Sequence, residues 1–206
     1  MSGKKIKITV YSDYICPFCY IGYFRIEKLK EKFELDVDWQ PFEIHPETPT
    51  QGLMVDQLPF PPGYLDMVLT NVKKLAAEDG IEIQFSGKMP NSRLALYLSE
   101  YARENGKFNQ FHKLVLDSYW KKGEDIGDVE ILEKLIKSVG LDFEEALSYA
   151  KSEKPRKILE DVRNYLHRRG INGVPTFFIE EKIVVGAQPL ELFTKVISNV
   201  ITNKNN

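Results

Sequence analysis

Only two cysteines occur in this 206-residue chain, Cys16 and Cys19, and just Pro17 and Phe18 separate them. Two cysteines scattered at random would fall at that spacing roughly 1% of the time, so the pair reads as a motif. The surrounding residues, SDYICPFCYIG, carry a strand on one side and a helix on the other. At a helix start, free backbone amides and the helix dipole favour negative charge. A thiol there ionises more readily than the ~8.5 of free cysteine, and the thiolate is the nucleophile of disulfide exchange. Pro17 suits the first helical turn, where a missing N–H costs nothing. A spacing of three puts both sulfurs on one side of that turn, within bonding reach.

The two sulfurs are not equivalent. Cys19 opens an apolar stripe with Tyr23, Ile26, Leu29 and Phe33 and so points inward. Cys16 precedes the helix and is expected to be exposed. Cys16 is therefore the nucleophile that carries a mixed disulfide, and Cys19 resolves it. Pro17 and Phe18 offer the thiolate no charged donor, which predicts milder stabilisation of the reduced form than a histidine there would provide. Two other uses of the pair remain: inert buried thiols, or half of a zinc site. Zinc takes three or four protein ligands, and the chain's three histidines, His45, His112 and His167, stand at no ligand spacing from one another or from the pair. No metal is expected.

Other residues near the motif have two readings each. Asp13 is read as a cap on the loop ahead of the helix, with a proton shuttle to the thiol as the alternative. Tyr14, Phe18, Tyr20 and Phe60 form either an apolar surface around Cys16 or part of the core. His45 is read as a solvated loop histidine rather than a wall of a substrate groove.

The elements that must position this pair are legible as periodicities. Ile6, Ile8 and Val10 alternate in residues 5–10, and Leu35, Val37 and Trp39 alternate in 35–44; both are strands. Six prolines between Pro41 and Pro62 mark a long loop and a boundary. From about Tyr64 to Gly170 the pattern is helical, with stripes such as Leu94, Leu98, Tyr101 and Ala102, then Ile131, Leu132, Leu135, Ile136 and Val139. Asp142 and Glu145 suggest a capping box. Short strands follow at 176–179 and 183–185. Pro189 suits the first position of a last helix with Leu192, Phe193, Val196, Ile197 and Val200 buried. Without the helical block, a small α/β unit remains: two parallel strands joined by a helical crossover, then a hairpin. Residues 1–62 and 171–206 thus form one discontinuous domain, with 63–170 inserted as a helical domain.

Composition narrows the function. Hydrophobic residues are 43% and the formal net charge is -2, so there is a real core and no basic excess to draw nucleic acid or an anionic membrane. No stretch approaches the ~18 apolar residues of a membrane span, and the N-terminus lacks a signal-peptide pattern. The expected compartment is the cytoplasm.

Taken together, SDYICPFCYIG (12–22), WQPFEIHP (39–46), Asn91-Ser92, GVPTF (173–177) and GAQP (186–189) resemble the DsbA-like branch of the thioredoxin superfamily, and its FrnE-like oxidoreductases above all. The resemblance implies a thioredoxin fold with a large helical insertion and a thiol-disulfide oxidoreductase acting on a protein or small-molecule thiol or disulfide. It implies that Pro175 is cis and faces the cysteines, that the Val174 backbone pairs with an extended substrate, and that Thr176 borders the site. FrnE-like chains often carry a histidine near position 96, where this chain has Leu96. The rival class is the glutathione-dependent isomerases and transferases (2-hydroxychromene-2-carboxylate isomerase, kappa-class glutathione transferase), which resemble this chain with serine in place of the first cysteine. No cofactor is expected to be bound; glutathione is a candidate co-substrate.

Overall fold

A computed structural model describes residues 5–58 and 60–205. The expectation for Pro59 as a breaker, and anything resting on residues 1–4 or Asn206, lies outside that range. The central sheet has four strands in the order β2-β1-β5-β6. β1 (Ile6–Ser12) runs parallel to β2 (Leu35–Pro41), pairing Ile6 with Leu35 and Ser12 with Pro41. The crossover between them is α1 (Pro17–Lys30). β5 (Thr176–Ile179) lies antiparallel to β1, and β6 (Lys182–Val185) antiparallel to β5.

Alternation decides which side of β1 is dry. Ile6, Ile8 and Val10 are buried in the main core, which also takes Ile26 and Leu29 of α1 and Phe193, Ile197 and Val200 of α8 (Leu190–Asn205). Tyr11, on the opposite face, belongs to a smaller cluster with Cys16, Cys19, Phe42, Val174 and Leu166, the last from α7 (Glu153–His167). The cysteines therefore sit where the sheet, α1 and α7 meet.

The helical segment contains α2 (Tyr64–Asp79), α3 (Arg93–Glu104), α4 (Phe108–Trp120), α5 (Val129–Ser138), α6 (Phe143–Lys151) and α7. The expected stripes are its interior, with Leu98, Ala102, Phe111, Val115, Leu132 and Ile136 fully buried. Asp142 caps α6 by accepting from the Glu145 amide at 2.9 Å, whereas the Glu145 carboxylate accepts from the Tyr101 hydroxyl at 3.0 Å. Only half of the expected capping box forms as such.

The structure corrects other expectations. The second strand stops at Pro41, three residues early. The proline-rich segment is not wholly irregular: β3 (Leu53–Met54) pairs with β4 (Lys88–Met89) in a second small sheet, and a 3-10 turn spans Val55–Gln57. Two-residue strands have no periodicity to read. Gly52 makes the pairing possible: its φ is 74°, and a Cβ there would lie 2.7 Å from the Met89 carbonyl oxygen. Pro189 falls one residue ahead of α8, and its carbonyl accepts from Leu192 and Phe193. Leu192 is exposed, since it lies on the rim of the α8 stripe.

Candidate active site

The strand-to-helix turn is built by Asp13 and Cys16. The Cys16 amide donates to the Asp13 carbonyl at 3.3 Å, and the Cys16 carbonyl receives the Cys19 and Tyr20 amides at 3.0 and 3.3 Å. Cys16 is the N-cap of α1, extended at φ −86° and ψ 116°, with Pro17 in the first turn and no acidic residue there to offset the helix dipole. Both cysteines are free thiols. Cys19 is fully buried, as its stripe position requires; burial, then contact with Cys16, pushes its thiol well above the ordinary range. The Ser12 hydroxyl and the Asp13 backbone act against that shift.

Cys16 is less open than expected, at 7% exposure. Its Sγ donates to the Val174 carbonyl oxygen at 3.5 Å, and the roof over it comes from sequence 28 or more residues away. That roof closes an apolar cavity of about 210 Å³ lined by Cys16, Pro17, Phe18, Val174, Phe60 of the proline-rich loop and Leu65 of α2. His45 also lines this cavity while its side chain stays 30% exposed, so it is a wall of the groove as well as a partly solvated loop residue. Its ring stands edge-on to Phe60 and pairs through Nδ1 with Glu47 at 2.9 Å.

The remaining candidates divide. The Val174–Pro175 peptide is cis. Thr176 does not border the cavity: it is fully buried, and its hydroxyl donates to the Gly173 carbonyl at 2.7 Å, clamping the turn before Pro175. Of the four aromatics, Phe18 and Phe60 line the cavity. Tyr14 and Tyr20 are core residues, bonded to His112 at 3.1 Å and Asp117 at 3.1 Å. Asp13 is a cap in the sense expected, accepting from the Ile15 and Ile44 amides at 3.4 and 2.8 Å. It is also wholly buried, and burial raises its carboxyl to about 6.

The other motifs support the site from behind. Phe42 packs beneath the cysteines, and Glu43 pairs with Arg93 of α3 at 2.9 Å and Arg163 of α7 at 3.4 Å. Asn91 accepts from the Arg93 amide at 2.9 Å and donates to the Thr48 carbonyl at 2.6 Å, tying the proline-rich loop to α3. Leu96 is core. Leu65, Val68 and Leu69 of α2 are cavity residues that periodicity alone marks only as helix face.

Comparison with known proteins agrees with this architecture. Residues 7–198 match the family model of the DSBA-like thioredoxin domain. The chain is 31% identical over 199 residues to the uncharacterized protein YwbO of Bacillus subtilis, covering 94% of this chain and 96% of that one. Among solved structures it resembles a "probable DsbA oxidoreductase" of Streptomyces coelicolor (TM-score 0.80, 24% identity, 94% and 89% of the two chains). It also resembles a 2-hydroxychromene-2-carboxylate isomerase (0.81, 17%, 97% and 98%) and the cytosolic disulfide reductase DsbM of Pseudomonas aeruginosa with GSH (0.66, 18%, 97% and 97%). At these identities the structural likenesses establish the fold.

Proposed function

The chain belongs to the family of DSBA-like thioredoxin domains, and from that premise we propose that it is a thiol-disulfide oxidoreductase with Cys16 as nucleophile and Cys19 as resolving thiol. One observation carries the reading: Cys16 caps α1 at the floor of an apolar cavity while Cys19 lies sealed behind it. In the reductive direction the Cys16 thiolate attacks a disulfide R–S–S–R′. A Cys16–S–S–R bond forms, and R′–S⁻ leaves and takes a proton. Cys19, deprotonated, then attacks Cys16 Sγ, closing the internal disulfide and releasing R–S⁻. The substrate gains two electrons and the cysteine pair loses them; oxidation of a substrate dithiol runs the same steps backwards. The high proton affinity of buried Cys19 keeps it a thiol while Cys16 makes the first attack.

Pro17, Phe18, Val174 and Pro175 shape the substrate's approach, and the Val174 backbone pairs with an extended segment. The cavity suits an apolar group next to the reacting sulfur. Glutathione is the co-substrate that reduces the pair again, a role supported by the GSH-bound DsbM structure. No helix among the described residues is long and apolar enough to cross a membrane. We assign the protein to the cytoplasm by its likeness to the cytosolic disulfide reductase DsbM.

The test is insulin reduction with a glutathione supply. Wild type is expected to be active and Cys16→Ser inactive; with glutathione withheld, Cys19→Ser is expected to be trapped as a mixed disulfide at Cys16. Equal activity in wild type and Cys16→Ser would sink the proposal. The apolar cavity favours one second reading, glutathione-dependent isomerisation of an aromatic compound; that reaction needs no resolving thiol, so it would survive Cys19→Ser.

A further inference from the structure

The Cys16-Pro17-Phe18-Cys19 motif contributes no charged or proton-carrying side chain, yet the fold brings one to the cavity from another segment. The cavity is otherwise apolar, with tyrosines and Cys16 as its other titratable groups, and His45 is the basic residue in its wall. The histidine is held, with its ring on Phe60 and Nδ1 on the Glu47 carboxylate. The Glu47 carboxyl is kept below its ordinary range chiefly by this contact, so it accepts from Nδ1–H. Nε2 is then the ring nitrogen left to exchange a proton. The charged groups around it are in place. Glu47 is on its own loop and Tyr64 on α2. Arg93 donates to the Pro46 carbonyl at 2.8 Å, and Arg163 acts on Glu47 through space. Glu43 engages both arginines.

We propose that His45 is the general acid–base group of this site, oriented by Glu47. As imidazolium it stabilises the Cys16 thiolate, and it gives its Nε2 proton to the departing R′–S⁻, leaving neutral imidazole and R′–SH. In the oxidative direction neutral His45 takes that proton from the incoming thiol. An apolar cavity gives this single cation more weight over a developing thiolate than solvent would. The inference rests on the reading of Cys16 as nucleophile.

General acid help matters most for a poor leaving group. Bis(2-hydroxyethyl) disulfide expels a basic alkyl thiolate, whereas 2,2′-dithiodipyridine expels a resonance-stabilised thiolate that takes its proton on the ring nitrogen from water and needs none delivered to sulfur. Single-turnover oxidation of the reduced protein by each is compared for wild type, His45→Asn and His45→Gln. Both variants are expected to lose about tenfold or more with the alkyl disulfide at pH 6, and several-fold less with dithiodipyridine. Equal losses with both disulfides, or none with either, overturn the role of His45. If wild type oxidises no faster than Cys16→Ser with either reagent, the nucleophile assignment fails instead.

Discussion

Two buried titratable side chains make the stability of this protein depend on pH in opposite senses. Asp13 is wholly buried, and its carboxyl is raised to about 6 from its ordinary 3.8 by loss of water, despite the amides of Ile44 and Ile15 and the Ser92 hydroxyl that favour its charged form. Its protonated form is favoured in the fold, so its contribution is fully present below about pH 4 and is lost as pH rises to about 6. At about 1.4 kcal/mol per unit, that is about 3 kcal/mol. Asp13→Asn keeps an acceptor for Ile44 and carries no charge. Relative to wild type it is expected to gain about 3 kcal/mol on going from pH 4 to pH 7, measured by denaturant unfolding; a pH-independent difference would contradict the assignment. His112 works the other way. Burial, helped by Arg103 and Lys30, lowers it to about 3 from 6.5. Its contribution is present above about pH 6.5 and lost as pH falls towards 3. The Nε2 atom of His112 has no protein partner among the described residues, and His112 lines a water-sized cavity of about 10 Å³ with Ser12, Ser99 and Glu100. His112→Gln is expected to unfold at lower pH than wild type in an acid titration followed by circular dichroism.

At the scale of elements, the seat of α1 on the sheet is set by Gly22. A Cβ at this position would lie 2.9 Å from Phe177 Cζ and 3.5 Å from Pro175 Cγ. The missing side chain lets the helix that carries both cysteines lie against the loop that carries Val174. Alanine would gain about 1 kcal/mol of helix propensity but would push α1 off β5 at a cost of typically 1–3 kcal/mol. Gly22→Ala is expected to be neutral to mildly destabilising and Gly22→Val clearly destabilising, by about 2 kcal/mol or more in urea titration. Both should slow the closing of the Cys16–Cys19 disulfide, because the packing behind Cys19 shifts. Glycine at 22 is visible in CYIG, but nothing local says that its neighbour is Phe177, 155 residues later.

Across the whole molecule, Arg25 joins elements distant in sequence. It is almost fully buried on α1; its Nε donates to Asp79 at the end of α2 at 2.6 Å, and its Nη1 to the carbonyls of Ala187 and Gln188 at 2.6 Å each. GAQP is therefore a structural anchor, and the Gly186 amide completes it by donating to the Pro175 carbonyl at 2.7 Å. Arg25→Met strands a buried carboxylate that keeps its ion pair with Lys28, at 3.0 Å, and is expected to cost about 3 kcal/mol in unfolding experiments. The double variant Arg25→Met/Asp79→Leu should recover a good part of it. The fold and the reactive pair were legible because they are written in local periodicity and spacing: Ile6, Ile8 and Val10 alternate, Cys19 heads a stripe, and Thr176–Ile179 is a compact apolar run. Those signals alone determined the strand and helix order, the inward direction of Cys19 and the motif at the helix start. Long-range packing alone decided how far Cys16 is covered, that Thr176 turns inward, that two-residue strands organise the proline-rich loop, and that His45 meets Cys16 in one cavity. Periodicity reports which face of an element is dry, whereas the neighbour on that face is chosen only when distant segments compete to bury the same apolar surface.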